Sequence, residues 1–162
     1  MKFRIERMAM AVLAAALTAC GGGGPGLDSD ALVGRWILRD GPTDMGDGVR
    51  LEDTVVEYGA DGTSDYSARM VVAPAGGETV TLRLDGDVRW RLEETVLTRT
   101  LERMDVTPET ETDAARQLAD MYAQGLNASP PARFIVQRLD EETLELLDPD
   151  TGDTLRFARA PG

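Results

Sequence analysis

Thr79-Val80-Thr81-Leu82-Arg83-Leu84-Asp85-Gly86-Asp87-Val88-Arg89-Trp90-Arg91-Leu92-Glu93 carries the plainest structural pattern in the 162-residue chain. Successive side chains of a β-strand point to opposite faces. Here Val80, Leu82 and Leu84, then Val88, Trp90 and Leu92, fall on one face, with Arg83, Arg89, Arg91 and Glu93 on the other. Between the two halves, Asp85-Gly86-Asp87 supplies a residue tolerant of positive φ, so the stretch predicts a hairpin of strands Thr79–Leu84 and Val88–Leu92. Alternating, half-buried strands joined by a tight turn belong to an antiparallel sheet.

Working outward from this hairpin, the same grammar recurs. Upstream, strands are predicted at about Val33–Arg39, Val49–Tyr58 and Thr63–Ala73, separated by the Gly/Asp-rich loop Asp40–Gly48 and by Gly59-Ala60-Asp61-Gly62. Downstream, Glu94–Val106 is β-branched and strand-like, but its faces are mixed. Val96, Met104 and Val106 share a side with Thr98, Thr100 and Glu102, while Leu97 and Leu101 share the other with Arg99 and Arg103. Such a strand lies at an edge or lines a wet cavity. One helix, at about 109–125, follows Thr107-Pro108, which reads as an N-cap and first helical residue. Ala114, Leu118, Met121 and Tyr122 recur at helical spacing, and Gly125 or Asn127 is placed to end it. That stripe packs the helix on a sheet or makes it a movable lid over a cavity. Three further strands are predicted at Arg133–Leu139, Thr143–Leu147 and Thr154–Arg159, with acidic turns between them. A meander of short strands with tight connections closes into a barrel, which removes exposed edges.

Gly34-Arg35-Trp36, preceded by Leu32-Val33, resembles the Gly-x-Trp opening of the lipocalins and wider calycins. Tyr58-Gly59-Ala60-Asp61-Gly62-Thr63 is similar to the aromatic-x-x-Asp-Gly-Thr turn of bacterial lipocalin-like domains, and Trp90 to their mid-chain Trp. The last three predicted strands resemble those that end such domains. The resemblance covers about Leu32–Ala160 and implies an all-β, eight-stranded antiparallel up-and-down lipocalin-like barrel with one inserted α-helix. It further implies that Arg159, from the last strand, lies over Trp36 and shuts the barrel's base. The helix falls between strands here rather than at the C-terminus, and the chain has no pair of cysteines.

The N-terminal end addresses the chain. A basic head (Lys2, Arg4, Arg7), an apolar run from Met8 to Leu17 and small residues before a unique cysteine form a secretory signal. At about 10 residues the run is too short to span a bilayer, which takes roughly 20. Leu17-Thr18-Ala19-Cys20 resembles the lipobox of bacterial lipoproteins, which implies cleavage before Cys20, a diacylglycerol thioether on its sulfur and an acylated amino end. The alternative is an ordinary cut near Ala14–Ala16 or at Ala19 that leaves Cys20 a free thiol, a liability in an oxidising compartment. The expected organisation is therefore a signal peptide 1–19, a lipidated Cys20 with a Gly-rich tether to residue 30, and a barrel domain 31–162. Residence in the bacterial cell envelope follows. Gly21 after the cysteine resembles lipoproteins sorted to the outer membrane of Gram-negative cells.

Composition bounds the chemistry. Taking Lys2, Arg4, Glu6 and Arg7 away with the leader leaves 28 acidic residues and 14 arginines from totals of 29 and 17, a net charge of −14 without a lysine. Such a surface repels nucleic-acid backbones and anionic membranes, so the acyl chains must do the attaching. Without His or a second Cys there is no disulfide, no thiolate or imidazole zinc site and no Ser-His or Cys-His pair. No cofactor and no metal are expected. Asp148–Asp153 reads as a turn rather than a calcium loop because no distal bidentate Glu follows at the required spacing, and Asp40–Gly48 reads as an acidic loop. For a carboxylate-dependent hydrolase the nearest candidate is Glu102.

The interior is expected to be drawn from Trp36, Leu38, Val56, Tyr58, Tyr66, Met70, Leu82, Trp90, Leu92, Phe134, Val136, Leu144, Leu146, Leu155 and Phe157. An eight-stranded barrel is just wide enough to be filled by side chains or to hold one small ligand. Of these residues Tyr58, Tyr66, Met70, Leu82, Trp90, Phe134 and Phe157 are the candidate ligand contacts. Three functions stay open. One is a membrane-anchored, non-catalytic lipocalin-like lipoprotein that binds a small hydrophobic ligand. The others are an acidic module docking a basic protein partner, and a carboxylate-based hydrolase.

Overall fold

The computed structural model describes residues 27–41, 43–46 and 48–161; Cys20, the leader and most of the glycine tether lie outside them. In chain order the elements are α1 (Ser29–Leu32), β1 (Gly34–Asp40), β2 (Asp44–Gly46), β3 (Val49–Tyr58), β4 (Thr63–Val72), β5 (Val80–Glu93), β6 (Val96–Pro108), α2 (Asp113–Asn127), β7 (Ala132–Leu139), β8 (Thr143–Leu147) and β9 (Thr154–Arg159). Each strand of the wall pairs antiparallel with its neighbours in sequence. β1 closes the ring by pairing β9 on one side and β3 on the other, with Trp36 opposite both Arg159 and Val56. The result is a closed, eight-stranded, up-and-down antiparallel barrel with one inserted helix; β2 adds a short ribbon to the start of β3.

The hairpin expected at Asp85-Gly86-Asp87 does not form. β5 runs through all three residues, because β4 and β6 pair with it on both sides. Gly86 lies opposite Tyr66 and Met104, and Asp87 opposite Asp65 and Arg103. Ladders on two edges outweigh a local turn preference of about a kcal/mol. Gly86 instead leaves room for Met104, whose Cε would lie 2.7 Å from a Cβ at that position and would have to shift. The two predicted segments thus merge into one wall strand of 14 residues, which brings the wall to eight. The actual turn is Glu94-Thr95, with Glu93 opposite Val96 and Glu94 in the left-handed region at φ 55°.

A bulge explains the mixed faces of the next strand. Val88 pairs with Leu101 and Asp87 with Arg103, which leaves Glu102 as an extra residue. A bulge re-aims every side chain beyond it. Leu97, Arg99 and Leu101 therefore face inward before it, and Met104 and Val106 after it.

Thr107 and Pro108 do not open the helix. They end β6, opposite Arg83 and Leu82. The cap is Thr112, whose Oγ1 accepts from Ala115 N at 3.1 Å. This later start turns the helix relative to the expected stripe. Ala115 and Ala119 are buried and Leu118, Tyr122 and Leu126 pack beside them, while Ala114 is exposed and Met121 is 51% exposed. Small alanines let α2 lie close on β6, where β7 no longer pairs. Asn127 finishes the contact: its Oδ1 accepts from Met104 N at 2.8 Å and its Nδ2 donates to Met104 O at 2.9 Å. One side-chain amide takes the place of a strand partner.

The interior has two halves. Leu32, Trp36, Val56, Tyr58, Leu97, Val136, Leu144, Leu146 and Phe157 fill the base. Ala68, Met70, Val72, Leu82, Leu84, Met104 and Ala119 form the end beneath α2. At the base, the Arg159 guanidinium lies 4.2 Å from the Trp36 ring centroid. It donates to the carbonyls of Ala31, Val33 and Glu141 at 2.6, 2.9 and 2.7 Å. The Trp36 indole N–H donates to Leu32 O at 2.8 Å, which fastens α1 beneath the barrel.

Candidate ligand cavity

Where β6 and β7 part company the wall has a gap. Their pairing runs only from Val96 opposite Ile135 to Arg99 opposite Ala132. Beyond that point α2 and the link into β7 cover β6 without sealing it. A cavity of about 230 Å³ lies behind the gap, with buried Met70, Leu84, Val88 and Met104 inside, half-buried Tyr66, Leu101 and Phe134 across the middle, and Ser129 and Pro130 at the exposed rim. Leu51 and Leu126 complete the apolar walls.

Arg99 is the one charged residue among those lining this space. Its guanidinium carbon sits 5.8 Å from the Tyr66 ring centroid and 6.0 Å from that of Phe134, within reach of favourable contact with both aromatic faces. Among the described residues its buried Nε has no hydrogen-bond acceptor, and no carboxylate pairs with it. The buried Tyr58 hydroxyl is likewise without a partner among the described residues. Burial raises the Tyr58 and Tyr66 phenols above their ordinary pKa, against the opposing pull of the Arg99 charge. Both are therefore neutral, and able to donate a hydrogen, at physiological pH.

Of the residues expected to contact a ligand, the structure brings Tyr66, Met70 and Phe134 to the cavity. Leu82 is fully buried under α2 without lining it, and Tyr58 and Phe157 belong to the filled base. Trp90 is held at the β3–β4 turn, its indole N–H shared between Gly59 O at 3.1 Å and Thr63 O at 2.9 Å and its ring meeting Tyr58 edge-on at 5.7 Å. Sequence reasoning missed Leu51, Leu84, Val88, Arg99, Leu101, Met104 and Leu126. For the β6 residues the bulge at Glu102 was the hidden signal.

No protein-family model matches this chain, and no curated protein matches it. Among solved structures it is similar to a lipocalin-like protein from Bacteroides uniformis, at 15% identity and a TM-score of 0.46 over 80% of this chain and 99% of that one. It is similar also to an uncharacterized protein from Bacteroides eggerthii, at 13% identity and a TM-score of 0.46 over 79% and 98%.

The acidic candidates are placed elsewhere. Glu102 lies on the outside of the bulge, paired with Arg89 Nε at 2.6 Å. In the 148–153 turn, Asp148 Oδ1 accepts from Asp150 N at 2.8 Å. Asp44 in loop 40–48 accepts from Gly46 N at 2.8 Å. Among the described residues no group of three or more His, Cys, Asp or Glu could hold a metal, and no helix is long and apolar enough to cross a membrane.

Proposed function

We propose that this chain is a lipid-anchored protein of the bacterial envelope whose barrel binds a small apolar ligand and performs no chemistry on it. The cavity behind the β6–β7 gap is the observation that supports the binding. The base of the barrel is packed solid, whereas the helical end keeps an apolar space with a way in. At about 230 Å³ it lies just under the 300–1,000 Å³ usual for ligand pockets, which suits a small guest rather than a large lipid. The non-catalytic reading draws on Glu102, whose pairing with Arg89 at the surface removes the best general-acid candidate. The anchor rests on the lipobox alone: two or three acyl chains at Cys20, at about 0.8 kcal/mol per buried CH₂, exceed what stable attachment needs.

An acidic docking surface is the second reading. Glu57, Asp65, Asp85, Asp87 and Asp105 border one groove together with Arg35, with Asp85 and Asp105 already paired to Arg83 and Arg103, and a basic partner would be steered to the net negative field. Native mass spectrometry of the protein purified from its own host separates these readings. Binding predicts a chain cut before Cys20, heavier by its acyl groups, with a small molecule released on activation. An unmodified chain overturns the anchor, and an acylated chain carrying a protein and no small molecule favours the docking surface.

A further inference from the structure

The geometry points to the chemical class of the guest: a monocarboxylate with a short apolar tail, its head on the Arg99 guanidinium and its tail against Met70, Leu84 and Met104. This rests on the reading of the cavity as a ligand site and deepens it.

A guanidinium stays charged in any protein environment, and a hydrogen-bond donor buried away from water is ordinarily paired. This chain has carboxylates in excess, 29 acidic against 17 basic residues. Many of its outer arginines use them: Arg83, Arg89, Arg103, Arg138 and Arg156 each hold one at 2.6–2.8 Å. Arg99, the cation inside the apolar cavity, holds none among the described residues and keeps a buried Nε–H unmet. Tyr66 and Phe134 flank the guanidinium with ring faces, which accept no strong hydrogen bond. A carboxylate entering the gap would meet the planar fork in the bidentate geometry that both groups favour.

Size and charge narrow the class. An apolar cavity of about 150 Å³ takes a benzene ring, so about 230 Å³ takes on the order of ten non-hydrogen atoms. A chain with a formal net charge of −12 repels a dianion more than a monoanion, and one guanidinium neutralises one charge. A short-chain or aryl monocarboxylate fits both limits within the pocket; a longer tail would project through the gap into solvent.

Isothermal titration of the full chain with octanoate, 1-octanol and octyl phosphate tests this. Octanoate is expected to bind one-to-one and about tenfold more tightly than 1-octanol, the contrast of one charge-assisted pair. Arg99→Met should abolish that preference, and Arg99→Lys should keep part of it. In the unsubstituted protein the Arg99 Nε–H resonance should move with octanoate and not with 1-octanol, a readout that stands should Arg99→Met fail to fold. Equal affinity for octanoate and 1-octanol, or a preference that survives Arg99→Met, overturns the role of Arg99 and leaves the cavity reading intact. Tighter binding of octyl phosphate overturns the carboxylate class. Silence from all three compounds overturns the cavity reading itself.

Discussion

Gly34 and Arg159 answer to each other. Gly34 has φ +129°, a conformation open essentially to glycine, and a Cβ there would stand 2.5 Å from Arg159 Nη1. Gly34→Ala therefore strains the backbone and displaces the guanidinium, and should lower stability by roughly 2–4 kcal/mol in urea unfolding. Arg159→Lys should cost about 2 kcal/mol, because an ammonium cannot reach three carbonyls while lying flat on the Trp36 ring. At the β3–β4 turn, Asp61 Oδ1 accepts from the Thr63 hydroxyl at 2.6 Å and from Thr63 N at 3.0 Å. The hydroxyl bond, more than the backbone one, lowers its pKa below the usual carboxylate range. A lowered folded-state pKa stabilises the protein above the unfolded value of about 3.9, and that gain fades as the pH falls below it. The melting-temperature gap between the unsubstituted chain and Asp61→Asn should be open at pH 6 and narrow steadily toward pH 3. A gap independent of pH contradicts this. The Gly-x-Trp and Asp-Gly-Thr residues were legible in the sequence, since their chemistry is local and each needs a residue type that few others replace.

At the scale of elements, α2 is tied to the barrel through Asn127. Asn127→Ala leaves the N–H and C=O of Met104 without their partner, so it should destabilise the protein by about 1–3 kcal/mol. Hydrogen exchange at the Met104 amide should quicken more than exchange in β8 and β9. Uniform exchange across the barrel would mean that Asn127 is not the fastening. Strand-level reading from sequence succeeded for β3, whose bounds came out as expected, and for β7 to β9, where turn residues sit at true turns. It failed wherever long-range pairing overruled local preference. Asp85-Gly86-Asp87 is a strong turn signal held straight by two neighbouring strands. Glu94-Thr95 carries no turn signal, yet it turns. Thr107-Pro108 looks like a helix start but completes a ladder. The bulge at Glu102 moves the inward positions from Leu97 and Leu101 to Met104 and Val106, which one unbroken period of two reads as mixed faces, and it hid the inward face of β6 and Arg99 with it.

For the molecule as a whole, an eight-strand meander with a sealed base was legible because alternation and turn spacing are properties of the entire chain. The cavity was not. Whether side chains fill a barrel depends on which residues the long-range pairing brings together, and Met104 over Gly86, or Leu51 and Leu126 lining one pocket, are placements that no local pattern encodes. The guest proposed for the cavity enters behind the β6–β7 gap. Methionine methyls report on it directly: Met70 and Met104 line the cavity, while Met121 stands 51% exposed on the outer side of α2. In the full chain labelled with ¹³C-methyl methionine and titrated with 1-octanol, the Met70 and Met104 resonances should shift together and saturate while Met121 holds still. Movement of Met121 with Met70 and Met104 unmoved would contradict the account.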